Sequence, residues 1–148
     1  MQEFFIYLFF YDIWYYFIHR AMHTKYLYFI HKIHHSKYNP AYYDYYTISI
    51  LELQLHAVGI ICPAYLYKWN VFQLMCVILF INLRGLMEHE SRAPFFISNH
   101  HLMHHKLIKC NYGPYWLDFL FGTLYVNNVN NVNNVNNVNN NKGNRLLE

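Results

Sequence analysis

Three long apolar stretches constrain the fold of this chain more than any other feature. The first covers residues 4–18 and is interrupted only by Asp12, and the other two lie within residues 47–83. Only 13% of the 148 residues are charged, against about 25% in an average soluble domain. Few polar side chains could therefore cover a core built from these stretches.

Residues 47–83 contain Glu52, His56 and Lys68 as their only acidic, basic or histidine side chains. The segment predicts a helical hairpin that turns near residues 63–70, with two arms of about 17–19 residues, the lower limit for crossing hydrocarbon. We interpret the hairpin as transmembrane. The alternative is a buried core hairpin of a soluble protein.

The length allows one domain, residues 1–125, followed by a tail, residues 126–148. The tail contains five Val-Asn-Asn triplets, which present no apolar face, so it is predicted to be disordered. A short solenoid is the alternative for such a repeat.

Net charge and cysteine content exclude several classes of protein. The formal charge of +3 is small and dispersed, so we expect no nucleic-acid partner. The three cysteines form no Cys-x-x-Cys pair, which argues against a disulfide framework or a thiolate zinc site.

Basic residues predict how the chain is oriented in a membrane. They follow the first and third apolar stretches, whereas the hairpin turn has Lys68 alone; the two basic groups are Arg20, Lys25, Lys32 and Lys37, and Arg84, Arg92, Lys106 and Lys109. The positive-inside rule places both groups in the cytosol. The first stretch would then begin on the far side, and its 15 residues are short for a full span. We therefore expect that a preceding transmembrane helix is missing and that the chain is a shortened form of a longer protein.

Nine of the eleven histidines lie in three compact clusters. These are an HxxxH (His19, His23), an HxxHH (His31, His34, His35) and an HHxxHH (His100, His101, His104, His105). On a helix, residues three and four apart share one face, so each cluster can direct two or three imidazoles at a metal ion. A lone HxxxH is more often ordinary helix surface, but folding the hairpin back brings all three clusters to one face.

So many imidazoles predict two metal ions, because a single zinc site uses about four ligands. The chain has no Glu-x-x-His, which excludes the carboxylate-rich di-iron bundle. It also has no HExxH, the zinc-hydrolase motif. A two-metal site of histidines beneath an aromatic membrane surface suits O₂ activation against an unreactive C–H bond, in a lipid that enters from the bilayer.

The motifs resemble those of the fatty acid hydroxylase/sterol desaturase superfamily. DIWYYFIHRAMHTKYLYFIHKIHHSKYNP is similar to its first two histidine boxes, and HHLMHHKLIKCNYGPYWLDFLFGT to its last box and the segment that follows. The resemblance covers residues 4–123. It implies an all-α integral membrane oxidoreductase of the endoplasmic reticulum with a cytosolic histidine-rich helical region.

The same resemblance implies that the chain holds two iron ions, or zinc in their place, and uses O₂ as a co-substrate. The reaction would hydroxylate or desaturate a sterol or fatty acyl chain, as in sterol biosynthesis and lipid metabolism. Electrons would come from a separate cytochrome b-type protein or reductase.

The resemblance assigns site residues position by position. Its metal ligands would be His19, His23, His31, His34, His35, His89, His101, His104 and His105. Asp12, seven residues before His19 on the same helical face, would accept a hydrogen bond from a ligand. Asn111 and Asp118 would support the site or the structure around it. The roles of His56 and His100 stay open.

The chain departs from the family pattern at three positions. Ser49-Ile50 stand where His-Pro is usual, Gly85 where a further histidine is frequent, and Leu117 where tryptophan is usual. Two alternatives therefore remain beside the hydroxylase or desaturase: a non-catalytic metal-binding or scaffold remnant of such an enzyme, and an ether-lipid monooxygenase.

Overall fold

Helices form all the regular structure in residues 2–67, 71–90 and 100–125, which the computed structural model describes. The six α-helices are α1 (Gln2–Met22), α2 (Tyr28–His31), α3 (Ile50–Tyr67), α4 (Val71–Glu88), α5 (His100–Leu107) and α6 (Tyr115–Leu120). Two 3-10 turns, His34–Ser36 and Tyr42–Tyr46, separate α2 from α3. The all-α prediction is confirmed over these residues, while the predicted disorder of 126–148 concerns residues outside them.

The core forms where α1 packs against both α3 and α4. Tyr7 and Tyr11 lie one turn apart on α1, and they are buried against Val77 and Ile81 of α4. This contact uses one face of each helix and holds α1 against α4.

Gly59 lets α1 approach α3 closely. The Trp14 indole of α1 lies over Gly59, and a Cβ at that position would come within 2.2 Å of the ring. The indole Nε1–H also donates to the Leu55 carbonyl of α3 at 2.9 Å. The absence of a side chain at Gly59 is therefore a packing requirement.

The hairpin prediction is correct in its two apolar helices and wrong in where the first one ends. The turn was predicted to begin at Pro63, but α3 continues through Pro63 to Tyr67. A proline removes only one helical donor, and apolar helices tolerate that loss where neighbouring groups compensate. Residues 68–70, with the predicted turn cation Lys68, lie outside the described part of the chain.

One helix among the described residues, Val71–Glu88, is long and apolar enough to cross a membrane. The apolar part of α3, Ile50–Leu66, is shorter. Length and composition therefore support one candidate span, whereas both arms of the hairpin were interpreted as transmembrane.

Candidate metal centre

The predicted ligands come together from the ends of four helices and one 3-10 turn. His19 and His23 lie at the end of α1, one turn apart, and His31 is the last residue of α2. His34 and His35 lie in the following 3-10 turn, so the second box is not one continuous helix. The remaining ligands are His89, which follows α4, and His101, His104 and His105 on α5.

These nine imidazoles form two groups. The five-histidine group contains His19, His23, His31, His35 and His104, and the four-histidine group contains His34, His89, His101 and His105. Within each group, one nitrogen from every ring lies within 4.8 Å of the others. The second and third boxes each contribute to both groups, because adjacent histidines point in different directions.

His19 and His31 face each other in a way that neutral rings alone do not favour. His19 Nδ1 contacts the Tyr112 carbonyl, and His31 Nδ1 lies 2.7 Å from Glu52 Oε1. Both partners are acceptors, so in a neutral ring Nδ1 carries the proton and Nε2 presents a lone pair. The two Nε2 atoms are nevertheless 3.0 Å apart. A cation coordinated by both lone pairs would remove this repulsion.

His104 and His89 each hold an Nδ1 proton outward, as His19 and His31 do. His104 Nδ1 donates to the Cys110 carbonyl at 2.7 Å, while its Nε2 lies 3.0 Å from His35 Nε2. His89 Nδ1 donates to the Gly85 carbonyl at 2.8 Å, while its Nε2 lies 3.3 Å from His34 Nε2. The Nε2 lone pairs of these rings thus point into the centres of the two groups.

His23 also fits a metal-binding role. Both of its ring nitrogens are buried and neither has a hydrogen-bond partner, which would be costly for a group with no other function. Coordination of one nitrogen would offset part of that cost.

Burial keeps the imidazoles of His23, His34, His35, His101 and His105 neutral and therefore able to bind metal. Burial, reinforced by neighbouring imidazoles, lowers the pKa of His23 and of His105 to about 3 and that of His35 to about 2. The same causes lower the pKa of His34 and of His101 well below the usual range. A buried set of neutral imidazoles suits iron or zinc.

Glu52 is a functional residue that the sequence analysis did not assign. It lies in the first turn of α3, is 1% exposed, and orients His31 through the hydrogen bond described above. His56, whose role was left open, lies one turn further, with its Nε2 3.7 Å from the same carboxylate oxygen. The available signal was an acidic residue inside an apolar stretch, where charge is costly and often functional.

The prediction that Asp12 accepts a hydrogen bond from a histidine ligand is wrong. Asp12 Oδ1 accepts from Arg84 of α4 at 2.6 Å. Seven residues along a helix correspond to about 10 Å, so Asp12 shares a face with His19 but lies too far from it. The sequence did not show that α4 would place a guanidinium beside this carboxylate.

His100 belongs to neither histidine group and contacts Asp118. Its Nε2 lies 2.9 Å from Asp118 Oδ2. Asp118 is fully buried and also accepts from the backbone N–H of Tyr112 and from the Thr123 hydroxyl, at 2.8 and 2.6 Å. Because the Tyr112 carbonyl in turn contacts His19, Asp118 positions the loop that orients a ligand.

Asn111 supports the same loop. It adopts a left-handed backbone with φ of 56°, which asparagine tolerates better than most residues. Its side chain donates to the His100 carbonyl and accepts from the N–H of Tyr125. Asn111 therefore supports the structure around the site, which is one of the two roles predicted for it.

A cavity of about 160 Å³ lies beside both histidine groups. His19 and His31 of the five-histidine group border it, as do His34 and His89 of the four-histidine group. Most of the remaining wall comes from α1, α3 and α4 and from the aromatic 3-10 turn. A small apolar group could reach both groups of ligands from this cavity.

Comparison with protein families gives one match. A family model described as "Fatty acid hydroxylase" matches residues 4–123. The chain belongs to the fatty acid hydroxylase family. The resemblance noted from the histidine boxes is thus confirmed, and the matched range contains all nine clustered imidazoles. No curated protein and no solved structure matches the chain.

Membership of the fatty acid hydroxylase family implies oxidoreductase chemistry of the oxygenase type. Proteins of this family are membrane-associated and typically iron-dependent. The histidine groups can hold metal ions, which agrees with that dependence.

The structure accounts for the three departures from the family pattern. Ser49 Oγ accepts from the N–H of Glu52 at 3.1 Å and donates to the Ile30 carbonyl at 2.7 Å, so it caps α3 and ties it to α2. Gly85 leaves room for Tyr45, whose ring would lie 2.2 Å from a Cβ at that position. Leu117 is buried in a small core with Tyr16 and Tyr112.

Proposed function

We propose that this fatty acid hydroxylase family member is a membrane-embedded enzyme that holds two iron ions and uses O₂ to hydroxylate or desaturate a lipid. The facing Nε2 lone pairs carry the proposal. His19 and His31 both hold their Nδ1 protons outward and face each other through Nε2. His104 directs its Nε2 at His35, and in the other group His89 directs its Nε2 at His34. Neutral imidazoles adopt such an arrangement readily when they coordinate a cation.

Each histidine group would hold one ion. The five-histidine group offers more ligands than the four-histidine group. An ion in the four-histidine group would therefore have more room for ligands from outside the protein. Zinc could occupy the same imidazoles, since they bind both metals. When bound, the iron pair would supply the activation of O₂ that the protein side chains cannot provide.

The chain's own residues orient and shield that centre. Glu52 and the carbonyls of Tyr112, Cys110 and Gly85 hold protons on the Nδ1 atoms, which fixes the rings and leaves Nε2 as the ligand atom. The cavity holds part of the substrate beside the ligands and excludes water from that part.

Exposed apolar side chains on all three long helices support integration into a membrane. Phe9 on α1, Ile61 on α3 and Phe72 on α4 are 50%, 63% and 77% exposed. Many large apolar side chains exposed in this way are typical of a membrane or protein contact. The endoplasmic reticulum, with the histidine groups facing the cytosol, is the location we propose.

Exposed cations around the histidine groups support both that orientation and an acidic electron donor. Arg20, Lys25 and Lys32 are exposed near the first two boxes, and Lys106 and Lys109 near the third. Because Asp44, the one acidic residue in positions 19–46, is paired with Lys37 at 2.7 Å, the exposed charge of this region is positive. A separate cytochrome b-type protein or reductase could dock there.

A sterol or a fatty acyl chain is the proposed substrate, entering sideways from the bilayer. Deleting the gene and profiling membrane lipids would test this. We expect accumulation of one unoxidised lipid, restored by the wild-type chain but not by a His34→Ala/His35→Ala variant present at the same level. Unchanged sterols, fatty acids and ether lipids would contradict the enzyme, and a change confined to ether lipids would favour an ether-lipid monooxygenase.

A further inference from the structure

Residues 111–125, which contain α6, form a segment with an apolar exterior. Asp118 is the only charged side chain of this segment, and it is fully buried. The exposed side chains of α6 are aromatic or aliphatic, with Tyr115 64%, Phe119 72% and Leu120 65% exposed. Large apolar side chains exposed together on a short segment indicate a contact with lipid or with another protein.

Two aromatic contacts place α6 along an exposed flank of α1. Trp116 stacks on Phe9 with the ring centroids 5.5 Å apart, and Phe121 lies edge-on to Phe17 at 5.2 Å. Phe9 lies ten residues before His19, which corresponds to about 15 Å along a helix. In a membrane-embedded α1 whose histidine end faces the cytosol, the Trp116 end of α6 therefore lies at the depth of the hydrocarbon.

The segment returns to the level at which it starts. The Asn111 N–H donates to the Thr123 carbonyl at 2.9 Å, so the two ends of the segment are joined. Both ends lie beside the end of α1, because the Tyr112 carbonyl contacts His19 and the Thr123 hydroxyl lies 2.9 Å from the Tyr16 hydroxyl. The segment is therefore a closed loop, with both ends near the histidines and α6 along the flank of α1.

The loop satisfies its own backbone donors, as a contact with hydrocarbon requires. The Asp118 carboxylate accepts from the N–H groups of Tyr112 and Gly113 at 2.8 and 3.0 Å. The carbonyl of the same residue accepts from the N–H groups of Thr123 and Leu124 at 2.8 and 3.0 Å. Further N–H groups bound within the loop are those of Asn111, Leu117, Phe121, Gly122 and Tyr125. The loop thus turns apolar side chains outward and these polar groups inward.

We propose that this loop inserts into the bilayer from the cytosolic side, so that Tyr115, Phe119 and Leu120 of α6 contact lipid. Lipid is favoured over a protein partner because α6 continues the exposed apolar flank of α1 at the depth of positions 9–17. The inference rests on the proposed function, because it takes α1 as embedded in the membrane. It adds a membrane contact after the last histidine box, in a segment too short to span the bilayer.

Quenching of a fluorescent label by lipid and by a water-soluble ion tests the inference. The full chain, with its three native cysteines replaced by alanine, carries one nitrobenzoxadiazole label in phosphatidylcholine nanodiscs, at Phe119→Cys, Tyr26→Cys or Phe72→Cys. These positions are matched at 72%, 73% and 77% exposed. Tyr26, beside Lys25 beyond the end of α1, is the control for water, and Phe72 of α4 is the control for lipid.

We expect lipids with doxyl-labelled acyl chains to quench the label at Phe119→Cys as strongly as the label at Phe72→Cys. Iodide should quench mainly the label at Tyr26→Cys. Equal quenching by iodide at Phe119→Cys and Tyr26→Cys would overturn the inference. A label at Phe119→Cys that neither agent reaches would also overturn it, because α6 would then be covered by protein, such as a second copy of this chain.

A charge at the same position tests the inference in the chain with its native cysteines. Phe119→Lys would place an ammonium group in lipid, so it should lower the midpoint of thermal unfolding in nanodiscs by several degrees. Tyr26→Lys, at matched exposure, and Phe119→Leu, which keeps the position apolar, should leave the midpoint nearly unchanged. An unchanged midpoint in Phe119→Lys would overturn the inference, since an exposed position in water accepts a charge at little cost.

The failure of this inference differs from the failure of the proposed function. A label that reports lipid at Phe72→Cys but water at Phe119→Cys would overturn only the insertion of α6. Labels that report water at both positions would overturn the membrane-embedded enzyme as well. A protein whose α6 contacts lipid but which binds no iron would overturn the proposed function, and the insertion of α6 would stand.

Discussion

His31 Nδ1 lies 2.7 Å from Glu52 Oε1, and both side chains are almost fully buried. The contact joins the end of α2 to the first turn of α3, so a residue of the apolar hairpin determines the orientation of an imidazole in the five-histidine group. Ser49 reinforces it by capping α3 and bonding to α2. The metal centre therefore depends on residues outside the histidine boxes.

Replacing Glu52 should weaken metal binding without removing a ligand. Glu52→Ala leaves His31 Nδ1 without its acceptor, and changes of this kind typically lower metal affinity about 10- to 100-fold. Glu52→Gln retains an acceptor and should lose less. Competition with a chelator measures the affinity, with Glu3→Gln as the control. Unchanged affinity in Glu52→Ala would show that His31 needs no such partner.

Single ligand substitutions should distinguish the two histidine groups. His101→Ala removes a ligand of the four-histidine group, and His23→Ala removes one of the five-histidine group. Each should lower the metal content by about one ion. His100→Ala, outside both groups, should leave the metal content unchanged. Equal loss in all three variants would contradict the division into groups.

Asp118 should be important for both stability and metal affinity. It accepts hydrogen bonds from Tyr112, Gly113, Thr123 and His100. Asp118→Ala leaves these buried donors without partners and should lower the free energy of unfolding by about 3 kcal/mol.

Thr123→Val is the comparison for Asp118→Ala, since it removes only one donor and should cost about 1 kcal/mol. Thermal unfolding in detergent measures both variants, and chelator competition shows whether His19 has lost its support. Similar costs for the two substitutions would contradict the role of Asp118 as a common acceptor.

Gly59→Ala should disturb the packing of α1 on α3. The added methyl group would overlap the Trp14 ring, and overpacking of this kind costs about 1–3 kcal/mol. In a Trp14→Ala background, the same substitution should cost much less, because the two residues are in contact. Thermal unfolding measures the stability of the wild type, the two single variants and the double variant. If the costs of the two substitutions simply added, Trp14 and Gly59 would not be in the contact described.

The sequence predicted which histidines come together, because the spacing within each histidine box is a local property. All nine predicted imidazoles lie in the two groups. Spacing could not show that His34 and His35, adjacent in the chain, would separate into different groups. That separation results from the 3-10 turn after α2 and from where α5 meets it.

The partners of the ligands were harder to predict, because they depend on how the helices pack. Glu52 and the carbonyls of Tyr112, Cys110 and Gly85 are distant from their histidines in the chain or belong to the backbone. Asp12 was assigned to a histidine from its helical face alone. Its partner, Arg84, is 72 residues away, and only the packing of α1 on α4 brings them together.

Metal content of the full-length protein tests the central claim most directly. After purification with iron present, elemental analysis should give about two iron ions per chain for the wild type, since the two groups together offer enough ligands for two sites. His34→Ala/His35→Ala removes one ligand from each group and should retain little iron, whereas His100→Ala should retain both ions. A wild-type protein that binds no iron, or the double variant with undiminished iron, would contradict the account.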